Sequence, residues 1–176
     1  TSCGADLVTL SRTDASSQLD GAGLRAKRAL GQNFVVDANT VRRIARLAGV
    51  ENHPHVLEIG AGLGSLTLAL AEIATGVTAI EVDEALLPLL NENVGELENV
   101  TVVHADAMQL DWPALLGDHT DWVLVANLPY NVATPLIADV LDFVPLVSRM
   151  LVMVQKEVAD RFAASPSTSA YGALSV

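Results

Sequence analysis

A glycine-rich turn near the first third of the chain is the first feature that can do chemistry. Residues 58–64 read E-I-G-A-G-L-G, with glycine at every second position. Glycine lets the backbone approach a ligand closely, and a helix that begins behind such a turn favours polar ligand groups. The spacing differs from the G-x-G-x-x-G of dinucleotide folds. Together with the acid Glu58 it is typical of sites for S-adenosylmethionine (SAM), where a sulfonium cation replaces a pyrophosphate. A tight turn without a ligand explains the same residues.

Two acidic residues follow at comparable positions farther along the chain. Glu81 ends the second apolar run, 17 residues beyond Gly64, and Asp106 ends the third. An acid at the tip of the second strand can accept hydrogen bonds from both ribose hydroxyls, as in dinucleotide folds. Asp106 is placed to accept a bond from the exocyclic amine of an adenine. Each acid is also a suitable helix cap. Two of them after a G-x-G-x-G turn favour an adenosine ligand.

The tetrad N-L-P-Y, residues 127–130, ends the fourth apolar run. The amide oxygen of Asn127 and a backbone carbonyl, that of Leu128, can both accept hydrogen bonds from the amino group of a planar base. The proline makes the turn rigid and removes a donor from it. The ring of Tyr130 offers a stacking surface for an extruded base. The alternative is an ordinary β-turn, in which these residues are common. The tetrad predicts methyl transfer to a planar amino group.

The chemistry-bearing residues lie at the ends of short apolar runs, and these runs alternate with helix-like stretches. A parallel sheet with helices on both faces is the fold class that this alternation predicts. The near-continuous apolar character of the strands fits burial on both faces. We therefore expect an α/β, Rossmann-like, doubly wound and mostly parallel sheet. The predicted strands are 55–59, 77–82, 100–104, 122–126 and 150–154; the predicted helices are 37–48, 63–74, 84–94, 134–141 and 156–164.

Composition limits the class of protein further. The chain has 176 residues, 51% of them apolar and 18% charged, which suits one folded domain and excludes wholesale disorder. Its single cysteine, Cys3, excludes an internal disulfide, and the histidines show no zinc-ligand spacing, so no metal is expected. No apolar run of membrane-spanning length and no secretory signal are visible. These features predict a cytoplasmic protein without a membrane partner, and we expect a monomer.

The charge is divided unevenly between the two parts of the chain. Residues 1–50 carry +3, whereas the remaining 126 residues carry −14. A basic edge on an acidic body can touch nucleic acid locally, although the same charges are equally compatible with a solvated surface. Residues 1–24 show no sustained periodicity and are predicted to be a flexible tail, which leaves residues 25–176 as the domain.

The segment before the first long helix does not by itself indicate a function. Residues 27–35 read K-R-A-L-G-Q-N-F-V, and by itself Asn33 is a turn or cap residue and Phe34 a core anchor. Taken with the other motifs, however, the segment is part of a resemblance. The motifs G-Q-N-F, E-I-G-A-G-L-G-S-L-T, E-V-D, H-A-D-A, N-L-P-Y-N-V-A-T-P and V-Q-K-E-V-A-D-R resemble, in order and spacing, the ribosomal RNA adenine N6-dimethyltransferases, the KsgA family.

The resemblance covers about residues 25–176 and implies a specific site. Related enzymes that methylate large-subunit RNA usually read N-I-P-[YF], so Leu128 favours the KsgA branch. The resemblance implies base binding and catalysis by Asn127, Leu128 and Tyr130. It also implies SAM as the cofactor, with contacts at Asn33, Val35, Gly60, Glu81, Asp106 and Asn127.

The substrate implied by the resemblance is a pair of adjacent adenosines near the 3′ end of small-subunit rRNA in an immature small ribosomal subunit. Members of the family continue through further strands and a small helical RNA-binding domain, so we expect this chain to be incomplete at its C-terminus. We expect such a fragment to bind SAM but to methylate slowly. Two other functions remain open: a non-enzymatic ribosome-assembly or nucleic-acid-binding factor that keeps the fold, and a nicotinamide-dependent oxidoreductase, which the glycine spacing and N-L-P-Y disfavour.

Overall fold

A computed structural model of the chain describes residues 10–24, 37–172 and 175, and for Tyr130 the backbone alone. Five strands form one parallel sheet in the order β3-β2-β1-β4-β5. Helices lie on both faces, which confirms the predicted doubly wound fold. The strands are β1 (Val56–Ile59), β2 (Val77–Glu81), β3 (Val100–His104), β4 (Trp122–Asn127) and β5 (Val147–Met153). The helices are α1 (Arg12–Gly21), α2 (Ala38–Ala48), α3 (Ser65–Ala71), α4 (Leu87–Val94), α5 (Trp112–Leu116), α6 (Tyr130–Phe143) and α7 (Lys156–Phe162), with a short 3₁₀ turn at Ala107–Gln109.

The alternating side chains of the buried strands supply two cores, one on each face of the sheet. On one face Val56 and Val125 pack with apolar residues of α2 and α3. On the other face Leu57 and Leu124 pack with residues of α6, among them Leu136. The sheet is therefore held rigidly between two helical layers, and the carboxyl ends of its strands are fixed relative to one another.

Helix α2 begins and ends where the sequence predicts. The Asp37 carboxylate accepts hydrogen bonds from the backbone N–H (2.7 Å) and hydroxyl (2.6 Å) of Thr40. Those bonds lower the pKa of Asp37 below its ordinary value. Gly49, with φ +63°, ends the helix in the left-handed conformation that glycine adopts without strain.

Helix α1 differs from the flexible tail predicted over residues 1–24. Its first turn is closed by a reciprocal cap, in which the Asp14 N–H donates to the Ser11 hydroxyl and the Ser11 N–H donates to the Asp14 carboxylate. Ala15 is buried in a small cluster with Leu63 and Leu86. The helix buries so few apolar residues that no hydrophobic periodicity marks it, and its cap and tertiary contacts stabilise it instead.

Other differences from the prediction are small. Helix α5 has only five residues, too few for a periodic pattern, and is capped by the Asp111 carboxylate, which accepts from the N–H of Ala114 at 3.1 Å. Strand β5 begins three residues earlier than predicted, and α3 is shorter than predicted. Within the described ranges, no helix is both long and apolar enough to cross a membrane.

Candidate active site

A cleft of about 970 Å³, part of it open to solvent, lies at the carboxyl ends of the strands. Strands β1 and β4 are neighbours, and their connections pass to opposite faces of the sheet, which opens a crevice between them. The lining includes five of the residues that the sequence analysis singled out, namely Gly60, Glu81, Asp106, Asn127 and Leu128. The fold thus brings these residues together, as the parallel arrangement predicts.

The glycine turn forms the wall of the cleft between β1 and α3. Gly60, Gly62 and Gly64 have φ values of +81°, +60° and +88°, which only glycine adopts readily. A Cβ atom on Gly60 would lie 3.4 Å from the carbonyl oxygen of Asn127, so the turn also passes close to the end of β4. The glycine turn is therefore packed closely against the end of β4, and its predicted close approach to a ligand stays a prediction.

Glu81 is buried at the end of β2 and holds this turn in place. One carboxylate oxygen accepts a hydrogen bond from the N–H of Gly62 at 2.7 Å, and the other accepts from the N–H of Asp83 at 2.8 Å. Each carboxylate oxygen has a second lone pair, so a ribose hydroxyl can still be bound from the cleft.

Asp106 is at once a cap and a lining residue of the cleft. Its carboxylate accepts from the N–H of Met108 at 2.9 Å and from the side-chain amide of Gln109 at 3.0 Å, which closes the 3₁₀ turn. The sequence analysis posed the cap and the ligand contact as alternatives. In the structure the cap is formed, and the residue lines the cleft as well.

The turn after β4 is fixed from both sides. The N–H of Leu128 donates to the carbonyl oxygen of Met153 at the end of β5 (3.1 Å), and the Leu128 side chain is buried. Pro129 precedes α6, and its carbonyl oxygen accepts from the N–H groups of Val132 and Ala133. Asn127 lines the cleft from the last position of β4. The predicted stacking by the Tyr130 ring lies outside the described part of the structure.

A buried acid lies under the glycine turn. The carboxylate of Glu58, 1% exposed, accepts a hydrogen bond from the Thr67 hydroxyl at 2.6 Å. Burial raises the pKa of Glu58 to about 7, the nearby Glu81 carboxylate adds to the rise, and the bond from Thr67 opposes it. The sequence analysis noted Glu58 but not Thr67 or Ser65, which also faces the cleft. The Ser-x-Thr spacing at the start of α3 is the only sequence signal for them.

The charge of the cleft favours a cationic ligand. Its described lining contains three carboxyl groups, those of Glu58, Glu81 and Asp106, and neither lysine nor arginine. A pyrophosphate would meet like charges here, so the cleft does not suit a nicotinamide dinucleotide. A sulfonium compound with an adenosine portion fits the same groups. In the part of the chain that the structure describes, no cluster of His, Cys, Asp and Glu could hold a metal ion.

Two predicted cofactor contacts, Asn33 and Val35, lie outside the described residues, as does the whole G-Q-N-F motif at 31–34. The described chain resumes at Asp37, which caps α2. These two contacts therefore stay predictions.

The fold and the cleft are those of the class I, SAM-dependent methyltransferases. The structure is similar to a dimethyladenosine transferase from Plasmodium falciparum, with a TM-score of 0.69 and 30% identity, over 80% of this chain and 50% of that one. It is also similar to the 23S rRNA methyltransferase ErmE, with a TM-score of 0.56 and 31% identity, over 71% of this chain and 50% of that one.

The family follows from sequence comparison. Residues 23–176 match the ribosomal RNA adenine dimethylase family, and the chain belongs to it. Curated relatives are named ribosomal RNA small subunit methyltransferase A. The protein of Streptomyces avermitilis is 49% identical over 88% of this chain and 53% of its own length. The protein of Bacillus licheniformis is 43% identical over 97% of this chain and 59% of its own length. The chain thus spans a little over half the length of these relatives.

Proposed function

We propose that this protein transfers methyl groups from SAM to the N6 atoms of two adjacent adenosines near the 3′ end of small-subunit rRNA. The observation that carries the proposal is the turn of residues 127–129, which closes an acidic, glycine-walled cleft at the end of β4. Membership of the family and the names of the curated relatives support the coarser part of this proposal, methylation of adenine in small-subunit rRNA. In this proposal residues 25–176 are the methyl-transfer domain, and the protein acts as a monomer in the cytoplasm without a metal.

The cleft has the groups that SAM requires. Glu81 and Asp106, at the tips of β2 and β3, are suited to hold the ribose and the adenine of SAM. The glycine turn accommodates the amino-acid portion of SAM. Asn33 and Val35 complete the contacts in this proposal. SAM, when bound, supplies an electrophilic methyl group carried on a positively charged sulfur.

The residues of the turn after β4 activate the target amine by orienting it. The exocyclic nitrogen of adenine is a poor nucleophile because its lone pair is delocalised into the ring. When the Asn127 side-chain oxygen and the Leu128 carbonyl oxygen accept its two N–H hydrogens, the nitrogen can become pyramidal with its lone pair towards the methyl donor. Both oxygens also stabilise the positive charge that develops on the nitrogen. Tyr130 is assigned to stack on the base. The proton released can pass to water, so no residue is assigned as a general base.

Replacing Asn127 with alanine tests this assignment. We expect Asn127→Ala to lower methyl transfer to undermethylated small ribosomal subunits at least ~100-fold, the scale for one hydrogen-bonding group of the transition state. Affinity for SAM, measured by calorimetry, should fall far less. The matched control is Asn91→Ala on the exposed surface of α4, where the side chain only donates to the Leu87 carbonyl. Near-normal turnover in Asn127→Ala would remove this residue from the mechanism.

The same experiment separates the enzyme from a non-enzymatic assembly factor. If the full-length protein binds SAM and small subunits but transfers no methyl group, the fold serves an accessory role. Radiolabelled methyl transfer, followed by mapping of N6-dimethyladenosine, distinguishes the two outcomes and identifies the nucleotides modified.

A further inference from the structure

One hydroxyl group in the cleft wall has no hydrogen-bond partner among the residues that the structure describes. Ser65 is the first residue of α3 and is 6% exposed. Within the described part of the chain, its Oγ is buried and makes no hydrogen bond. A buried hydroxyl without a partner is destabilising, and such groups are retained where a ligand or water completes them. Because Ser65 lines the cleft, a ligand bound there can supply the missing partner.

The order of the strands indicates which part of SAM lies nearest to Ser65. Asp106 and Glu81 end β3 and β2 on one side of β1, whereas Asn127 ends β4 on the other side. If Glu81 and Asp106 hold the adenosine and the methyl group is directed at Asn127, the sulfonium group would lie between these residues, near the end of β1. What remains of SAM is its amino-acid portion, and the nearest protein groups are the glycine turn and the first residue of α3.

The charges of the cleft determine which group of that portion needs a hydroxyl. The amino-acid portion carries an ammonium group and a carboxylate. The acidic lining attracts the ammonium group, whereas the described lining offers the carboxylate no lysine or arginine. Among the described lining residues the carboxylate can therefore be served by a neutral donor, and the Ser65 hydroxyl is such a donor.

We propose that the Ser65 hydroxyl donates a hydrogen bond to the carboxylate of SAM and makes the cleft select SAM over derivatives that lack this carboxylate. The proposal rests on the proposed function, since it names a further contact of the same cofactor. It concerns cofactor recognition, so Ser65 is a binding residue and takes no part in proton transfer.

Calorimetry on the Ser65→Ala variant tests the proposal without measuring activity. We expect the Kd values for SAM and for S-adenosylhomocysteine to rise about 10-fold, the scale of one hydrogen bond to a charged group. The Kd for decarboxylated SAM should stay the same. The matched control is Ser148→Ala near the start of β5, where the hydroxyl donates to Asp121; it should leave all three Kd values unchanged.

Urea unfolding without ligand separates a binding role from a structural one. Removing an unpartnered hydroxyl takes no hydrogen bond from the protein, so Ser65→Ala should be at least as stable as the unaltered protein. Ser148→Ala should be less stable. Equal affinities in Ser65→Ala and the unaltered protein, or an equal loss with decarboxylated SAM, would overturn the proposal. Failure of the unaltered protein to bind SAM at all would instead overturn the proposed function.

Discussion

Replacement of the buried acid Glu58 by glutamine should change how the stability of the fold depends on pH. In the folded protein the pKa of Glu58 is raised to about 7, mainly by burial, from an ordinary value of 4.5. Between these two values the folded state holds a proton that the unfolded chain has already released. The free energy of unfolding therefore falls as the pH rises from about 4.5 to about 7 and is constant above that range.

The size of this effect follows from the separation of the two pKa values. One pKa unit corresponds to ~1.4 kcal/mol, so most of the effect, roughly 2–3 kcal/mol, falls between pH 5 and pH 8. Glutamine has almost the same shape, can accept the bond from the Thr67 hydroxyl and does not titrate. Any loss of stability that the amide causes independently of pH is the same at pH 5 and pH 8, so it cancels in the comparison of the two pH values.

The assay is urea unfolding of Glu58→Gln and of the unaltered protein at pH 5 and pH 8. The free energy of unfolding of the variant, relative to that of the unaltered protein, should be roughly 2–3 kcal/mol higher at pH 8 than at pH 5. The matched control is Glu98→Gln, which removes an exposed carboxyl group before β3 and should show no such gain. Parallel pH profiles for Glu58→Gln and the unaltered protein would refute the reasoning, because the buried acid would then ionise as it does in the unfolded chain.

Three further substitutions test the backbone and the cofactor wall. A Cβ atom on Gly76 would lie 2.2 Å from the carbonyl oxygen of Pro54, so Gly76→Ala should cost about 2–3 kcal/mol of stability in urea unfolding. Gly21→Ala, in the open last turn of α1, should instead raise the free energy of unfolding by ~0.5–1 kcal/mol. Equal effects of the two substitutions would show that the Pro54 carbonyl does not require glycine at position 76. Glu81→Gln should weaken SAM binding roughly 10–100-fold by calorimetry, because an amide nitrogen cannot accept from a backbone N–H. Unchanged affinity would show that this carboxylate is not needed.

The parts of the fold that follow from local pattern could be predicted from the sequence. Continuous apolar runs indicate buried parallel strands, and strands of one sheet that all point the same way bring their carboxyl ends to one edge. That is why Glu81, Asp106 and Asn127, far apart in the chain, can be assigned to one edge of the sheet from the sequence alone. The Gly49 stop and the Asp37 cap of α2 are equally local, and the structure has both.

The features that could not be predicted depend on contacts between elements. Helix α1 has no apolar stripe and is held by its cap and by an amide pair between Gln18 and Asn93, 75 residues apart. The bond between Thr67 and Glu58 depends on how the glycine turn folds α3 back over β1. That Ser65 lacks a hydrogen-bond partner among the described residues is a property of its surroundings, which no local pattern records. The rise in the pKa of Glu58 likewise follows from burial and from the nearby Glu81.

The two backbone bonds of Glu81 determine at which stage the glycine turn becomes ordered. A free turn with three glycines would sample many conformations, and ordering each residue costs ~1–2 kcal/mol of conformational entropy. Here the carboxylate holds Gly62 and Asp83 in place once β2 has joined the sheet, so this loss is incurred during folding rather than during ligand binding. A ligand consequently meets a preorganised cradle. Its association is then governed by diffusion and desolvation, with no slow ordering step of the wall, and the binding energy of its contacts is retained as affinity.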